Sequence, residues 1–236
     1  MERASENQLF RKVDRKGFQP RHVAEVGVYR PEISNIYDYT VRGIRTTLVE
    51  PDPASIERIK AAFGKLSNVT LHPVAAYDFN GELKLAQRAA STFVSQLDAS
   101  PAIVNDGYVL QEADEFSVEA VTFDRIDDGT IDLLSIDTEG SEWFVLKHMK
   151  SRPKVISIET HGAGYLNPHL AEIHGWMQQN RYEPFFKDGS DTVYVQPDTI
   201  LLTRADRVAL WWKDQALGFR RARKRVFGRK PRPTAA

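Results

Sequence analysis

Five acidic residues stand at the ends of short β-rich or apolar runs. Glu25 lies in His22-Val23-Ala24-Glu25-Val26, with Gly27 directly after it; Glu50 follows residues 46–49, Asp78 follows Ala75-Ala76-Tyr77, Asp137 follows residues 131–136, and Glu159 follows residues 154–158. A carboxylate accepts hydrogen bonds and pairs with cations, so such a set suits a ligand rich in hydroxyls, amines and positive charge. Any one of these acids alone reads as an ordinary solvent-facing residue. Five at equivalent positions ask for a common reason. His161, two residues beyond Glu159, adds an imidazole that titrates near pH ~6.5 and could take a proton from a hydroxyl; its plainer reading is a surface loop residue. Glu139 and Glu142 follow Asp137 closely, and an acid at the start of a helix also complements the helix dipole.

The runs that carry these acids alternate with helical patterns. Strands are expected over 22–26, 46–49, 69–74, 131–136 and 154–158. Between them, Ile33, Ile36 and Tyr37 suggest one helix. Asp52 as N-cap and Pro53 at the first helical position open another that carries Ile56, Ile59, Phe63 and Leu66. A third starts near Ser141 and buries Val145, Leu146 and Met149, and a fourth starts at Asn167-Pro168 and carries Leu170, Ile173 and Trp176. This alternation predicts an α/β fold, doubly wound, with helices on both faces of a mostly parallel sheet. In such sheets ligands lie beyond the carboxyl ends of the strands, where strand order reverses, and the five acids fall at those ends. Residues 81–123 break the rhythm: strand-like pieces at 82–86 and 116–122 flank a Ser/Thr-bearing loop at 90–105, which predicts an inserted hairpin or lid. The last strands, 182–186 and 191–194 with a continuation to Leu202, have no helix between them and read as an antiparallel hairpin at a sheet edge.

With 42% hydrophobic and 27% charged residues over 236 positions, the chain is expected to form one globular domain. It has no cysteine, which excludes thiolate nucleophiles, disulfides and Cys-ligated metals. The zero net charge is split. From Arg204 onward there are 11 Lys/Arg against Asp206 and Asp214, and residues 1–203 carry 21 Lys/Arg against 30 Asp/Glu. An acidic body argues against a nucleic-acid partner. The division expected is an N-terminal arm at 1–20, a body at 21–203 and a basic amphipathic tail at 204–236. In the tail, Val208, Trp211, Trp212, Gln215, Phe219, Ala222 and Val226 share one helical stripe. It reads either as a helix lying peripherally on an anionic membrane or as a terminal helix packed on the body or in a homodimer. The opening residues form no continuous apolar stretch, so a cytoplasmic location is expected, and under the membrane reading of the tail the face it meets is the inner one.

The first loop, Glu25-Val26-Gly27-Val28-Tyr29-Arg30-Pro31, has a single glycine, whereas a dinucleotide pyrophosphate needs several to approach a helix N-terminus. S-adenosyl-L-methionine fits the acids better: it offers ribose hydroxyls, an exocyclic amine, an ammonium and a sulfonium, and no phosphate. Glu50 suits its ribose. The run Ile131-Asp132-Leu133-Leu134-Ser135-Ile136-Asp137-Thr138-Glu139-Gly140-Ser141-Glu142, followed by Val145-Leu146, resembles the hallmark of FkbM-family methyltransferases, an apolar strand ending in Ile-Asp-x-Glu-Gly-x-Glu. Val49-Glu50-Pro51 with Pro53, Asn68-Val69 before Ala75-Ala76, Thr122-Phe123-Asp124, and Ile158-Glu159 fall in the family's order. The similarity spans residues 23–195.

The resemblance implies a seven-stranded, Rossmann-like methyltransferase sheet and transfer of a methyl group from S-adenosyl-L-methionine to a hydroxyl of a saccharide, glycolipid or similar small molecule. Position at the strand ends, read together with the resemblance, leads to the expectation that Glu25, Gly27, Glu50, Ala76, Tyr77, Asp78 and Asp137 bind the cofactor, and that Asp137, Glu139, Glu159 and His161 serve catalysis. Those four also make an oxygen-rich set for a divalent metal, though no spacing rule demands one. One departure stands out. The family's first loop usually reads Asp-Val-Gly-Ala-Asn-x-Gly, and here Tyr29 takes the asparagine's place and Pro31 the second glycine's. Proline fixes φ where glycine is free, which motivates a second reading: a non-catalytic binding or scaffolding domain with a degenerate cofactor site.

Overall fold

The computed structural model describes residues 6–88, 91–94, 115–162 and 165–227. Its main sheet has seven strands. β1 (His22–Val26), β2 (Arg45–Val49), β3 (Val69–His72), β8 (Leu133–Ile136) and β9 (Val155–Glu159) run parallel; β11 (Asp191–Val195) runs antiparallel to β9 and pairs with β10 (Glu183–Asp188) at the edge. The spatial order is β10-β11-β9-β8-β1-β2-β3. Strand order therefore reverses between β1 and β8, the two strands that carry Glu25 and lead into Asp137.

Successive side chains point to opposite faces of a strand, and the core divides accordingly. On one face Val23, Leu48, Leu133, Val155, Val193 and Val195 pack with α1 (Gln8–Arg15), α2 (Tyr37–Val41) and α3 (Pro53–Phe63). On the other, Ala24, Val26, Val49, Leu134, Ile136, Ile156 and Ile158 pack with Val145 and Leu146 of α4 (Glu142–Lys147) and Ile173 and Met177 of α5 (Leu170–Gln179). Helix α3 starts where its signals place it: the Asp52 carboxylate accepts from Ala54 N and Ser55 N, and Ile56, Ile59 and Phe63 are buried. A cap of this kind stabilises by about 1 kcal/mol.

Several elements differ from expectation. The N-terminal arm contains α1, capped by Asn7, with Leu9, Phe10 and Val13 buried in the core; in a stretch this charged, three apolar residues at i, i+1 and i+4 are enough to hold one face. Ile33 does not join a helix with Ile36. It ends a short 3-10 turn, Pro31–Ile33, and is exposed, while Ile36 is buried. The insertion is more than a hairpin: β4 (Ala75–Ala76), β5 (Gly81–Arg88), β6 (Ser91–Val94) and β7 (Glu115–Val121) form a second sheet in the order β4-β7-β5-β6. Part of the expected loop is thus strand β6, and residues 95–105 lie outside those described. The continuation to Leu202 is absent, since β11 ends at Val195 and a turn bonds Thr199 N and Ile200 N to Gln196 O.

The tail forms α6 (Arg204–Phe227), lying along β10. Its half-buried residues, Asp206, Leu210, Asp214, Leu217 and Arg221, share the face toward the body. Ion pairs Lys16–Asp206 (2.5 Å) and Lys187–Asp214 (2.8 Å) fix that choice of face. The apolar stripe points away, leaving Val208, Trp211, Trp212 and Phe219 more than half exposed. Among the described residues no helix is long and apolar enough to cross a membrane.

Candidate functional site

A cavity of about 500 Å³ opens at the carboxyl ends of β1, β2 and β8, bounded by Ala75, Ala76 and Tyr77, by Leu83 and Leu85 of β5, and by the turn between β10 and β11. At its floor the backbones of the two strands flanking the switch point nearly touch. Gly27 has φ +81°, and a Cβ there would lie 1.8 Å from the Asp137 carbonyl oxygen, so no other residue fits.

Two acids hold the first loop. The Glu50 carboxylate accepts from Val28 N (2.9 Å), Tyr29 N (2.8 Å) and Asp52 N (2.9 Å). Glu25 accepts from Asn35 N (2.8 Å) and from the Ser34 hydroxyl. Pro31 sits at the start of its 3-10 turn, where a missing N–H costs nothing. Tyr29 adopts φ +49°, a left-handed conformation that asparagine tolerates better and that costs a tyrosine roughly 1 kcal/mol. The loop is thus tied to both Glu50 and Glu25 with a single glycine, Gly27, in it. It also uses Glu50 heavily: a carboxylate offers about four acceptor positions, and three are taken.

The turn from β8 into α4 is closed by Glu142, whose fully buried carboxylate accepts from Thr138 N (2.8 Å), Gly140 N (3.1 Å) and Asn167 Nδ2. Glu139 (φ +56°) and Gly140 (φ +111°) make the tight reversal. Asp137 and Glu139 then line the cavity, and Asp137 Oδ1 is buried with no hydrogen-bond partner.

Acids crowd this end of the sheet. Burial, followed by the charges of Asp191, Glu139, Glu142 and Glu25, pushes the Asp137 carboxyl well above its ordinary range. Glu159 is pushed up to about 11 by burial and then by Asp137, Glu142 and Glu139, and its Oε2 has no partner. Asp191 rises to about 7 through burial, despite hydrogen bonds from Ser157 Oγ and Asn35 Nδ2. Burial also raises Glu50 and Glu142. Carboxylate oxygens of Asp137, Glu142 and Glu159 lie within 4.8 Å of one another. A divalent ion there would have to share Glu142 with the turn amides it already holds.

The cavity brings together Glu25, Gly27, Glu50, Ala76, Tyr77, Asp137 and Glu139, while Glu159 stands beside Asp137 without lining it. Asp78 lies outside, bound to Lys147 (2.6 Å) and His148 (2.8 Å); it follows β4 of the second sheet, so its position is not that of a main-sheet strand end. His161 also lies outside. It is buried in the wall of a second cavity, against α6, and burial together with Lys187 and Arg221 pushes its pKa down to about 4, a poor base near neutral pH. Sequence reading missed Ser34, Asn35 and Asp191. Because β11 runs antiparallel, its first residue pairs with Glu159, the last of β9, and the β10–β11 turn comes to the carboxyl end. The signal was present in Asp188-Gly189-Ser190-Asp191, a turn pair flanked by acids.

Comparison with known proteins agrees with the hallmark residues. The family described as Methyltransferase FkbM domain matches residues 25–184, more than half of the chain. No curated protein matches in sequence. Among solved structures, the chain is similar to the methyltransferase domain of bacterial CtHen1 (TM-score 0.44, 10% identity, 80% of this chain and 97% of that one). It is also similar to a SAM-dependent methyltransferase from Aquifex aeolicus (TM-score 0.43, 9% identity, 81% and 90%). A third is the SAH-bound Podospora anserina methyltransferase PaMTH1 (TM-score 0.40, 14% identity, 80% and 75%). The chain belongs to the FkbM methyltransferase domain family.

Proposed function

We propose that the main cavity binds S-adenosyl-L-methionine and that the protein transfers its methyl group to a hydroxyl of a saccharide, glycolipid or similar small acceptor. The observation that carries this reading is Asp137 Oδ1, buried and unpartnered among carboxyls that burial and mutual repulsion hold above their ordinary pKa. Unpaired buried acids are costly, and a cationic ligand offsets that cost. The cofactor supplies an electrophilic methyl on a sulfonium. Glu50 retains about one acceptor position for a ribose hydroxyl. Ala76, Leu83 and Leu85 offer an apolar wall for a flat ring, and Tyr77 packs edge-on against Phe79 and Phe144 beside it. A hydroxyl acceptor must lose a proton, and a carboxylate with raised proton affinity is a better base than an ordinary one. Its raised proton affinity and its position in the cavity wall support Asp137 in that role, with Glu159 next to it.

The exposed stripe of α6, flanked by Arg204, Arg207 and Arg223, supports an acceptor met at an anionic membrane surface. The reading as a non-catalytic binding domain draws on one observation, the use of Glu50 to hold the first loop. Transfer of an isotopically labelled methyl group to a panel of saccharides and glycolipids separates the two. Labelled product from the natural chain and none from Asp137→Asn supports the enzyme. Absence of product from every acceptor, with no cofactor binding, supports the binding domain.

A further inference from the structure

The second cavity, about 350 Å³, lies between the body and α6 and is lined by His161, Gly162, Gly189, Ser190, Leu217, Arg220 and Arg221. Its chemistry is opposite to that of the first. Neither Arg220 nor Arg221 is in an ion pair among the described residues, and the nearby acid Asp214 is already paired with Lys187 at 2.8 Å. His161 is 1% exposed. Its Nδ1 lies 2.9 Å from Thr160 Oγ1, which lies 2.6 Å from Thr192 Oγ1, and its Nε2 has no partner. When the Thr160 hydroxyl donates to Nδ1, the proton of the neutral ring sits on Nε2, leaving a buried donor unsatisfied in the wall of a pocket that also carries two guanidinium groups. An unpaired donor so deeply buried is costly without a ligand.

We propose that this cavity holds a phosphate group of the methyl acceptor. Two guanidinium groups and an imidazole N–H can approach a tetrahedral anion from different sides, and charge-assisted bonds of this kind are the stronger ones. Gly189 and Ser190 belong to the walls of both cavities, so an acceptor anchored here by its phosphate presents its remainder across the β10–β11 turn toward Asp137. The assignment to the acceptor rests on the reading of the first cavity as the methyl-transfer site. The phosphate itself belongs either to a soluble sugar phosphate or to a phospholipid-type headgroup.

The test is calorimetric titration of the full chain with inorganic phosphate and with glucose 1-phosphate, comparing the natural protein with R220Q/R221Q and with H161A. Arg220 is exposed and Arg221 half-buried, and neither holds an ion pair among the described residues, so the double variant is expected to keep the natural melting temperature. It should bind either probe roughly 10- to 100-fold more weakly, the loss expected for hydrogen bonds to a charged group, and bind S-adenosyl-L-methionine with unchanged affinity. H161A, checked for folding by the same melt, should lose affinity for phosphate by a smaller factor. Equal phosphate affinity in the natural chain and R220Q/R221Q, or no binding at millimolar phosphate, overturns the site. Failure of the natural chain to bind S-adenosyl-L-methionine counts against the methyl-transfer reading and leaves the anion site to be judged on the phosphate arm alone. Sedimentation with phosphatidylcholine vesicles containing phosphatidylglycerol identifies the source. Vesicle binding that needs both arginines and is competed by soluble phosphate assigns a headgroup, whereas glucose 1-phosphate binding with no arginine dependence on vesicles assigns a soluble ligand.

Discussion

The carboxyl end of the sheet and the C-terminal helix are opposites in charge and in what they leave unsatisfied. Around the main cavity Glu25, Glu50, Glu142, Glu159 and Asp191 are buried, and burial raises the pKa of Glu50, Asp137, Glu142, Glu159 and Asp191. On α6 Arg204, Arg207, Lys213, Arg220 and Arg223 face water, and so do Trp212, 62% exposed, and Phe219, 72% exposed. One region holds carboxyls away from solvent and the other holds apolar surface against it. Each is costly in the isolated chain. The lesson of the pair is that zero net charge here conceals two surfaces of opposite kind, an acid-lined cavity and a basic helix with an exposed apolar stripe.

The comparison breaks most completely at Gly27. Gly27→Ala sets a Cβ against the Asp137 carbonyl and demands a left-handed φ of alanine, so β1 and β8 must part. A loss on the order of 3 kcal/mol or more in urea unfolding, with loss of cofactor binding, is expected; a variant of natural stability would mean that the two strand ends are not in contact.

Next in size is Asp137→Asn. Turnover should fall by ~10²–10⁴-fold while cofactor affinity changes far less. Near-normal turnover would pass the base to Glu159, since His161 lies in the other cavity.

The buried acids also give stability a pH dependence of definite sign. A carboxyl whose folded pKa is raised binds more protons in the native state than in the unfolded one, so stability falls as pH rises from the unfolded value to the folded one. For Asp191 that window runs from 3.8 to about 7, and for Glu159 from 4.5 to about 11. The ligand-free protein should therefore melt at a lower temperature at pH 8 than at pH 5, with up to about 1.4 kcal/mol per pH unit from each such group. Glu159→Gln should flatten the slope, and an unchanged slope would remove Glu159 from the cluster.

The smallest effect on stability is expected at the other region. W211S/W212S should shift unfolding by no more than about 0.5 kcal/mol, because both rings are already in water, yet it should abolish sedimentation with anionic vesicles. Vesicle binding that survives the substitution would leave the stripe without a role at membranes.

Much of this was legible in the sequence for a local reason. The strands are apolar runs that end in an acid, and Asp52-Pro53 announces α3. What was not legible depended on direction in space. Asp78 follows a strand that pairs into the second sheet, and His161 lies beyond the point where Thr160 N and His161 N bond Ser190 O and turn the chain aside. Asp191 enters the site only because β11 is inverted relative to β9. The tail's apolar stripe was visible, but its outward orientation was decided by Lys16 and Lys187, residues distant in sequence that pair with Asp206 and Asp214. The second sheet escaped because its strands pair across an insertion in which no hydrophobic alternation marks β6.

The central claim, that the acid-lined cavity takes a cationic cofactor, is tested most directly by titrating S-adenosyl-L-methionine into the full chain at pH 6 and pH 8 in buffers of different ionisation enthalpy. A positive ligand favours the ionised carboxyls, so binding should release protons and tighten as pH rises through about 7, the value for Asp191. Saturable binding with that proton release is the result expected. A folded protein that binds no cofactor, or binds it with no proton release and equal affinity at both pH values, would contradict the account.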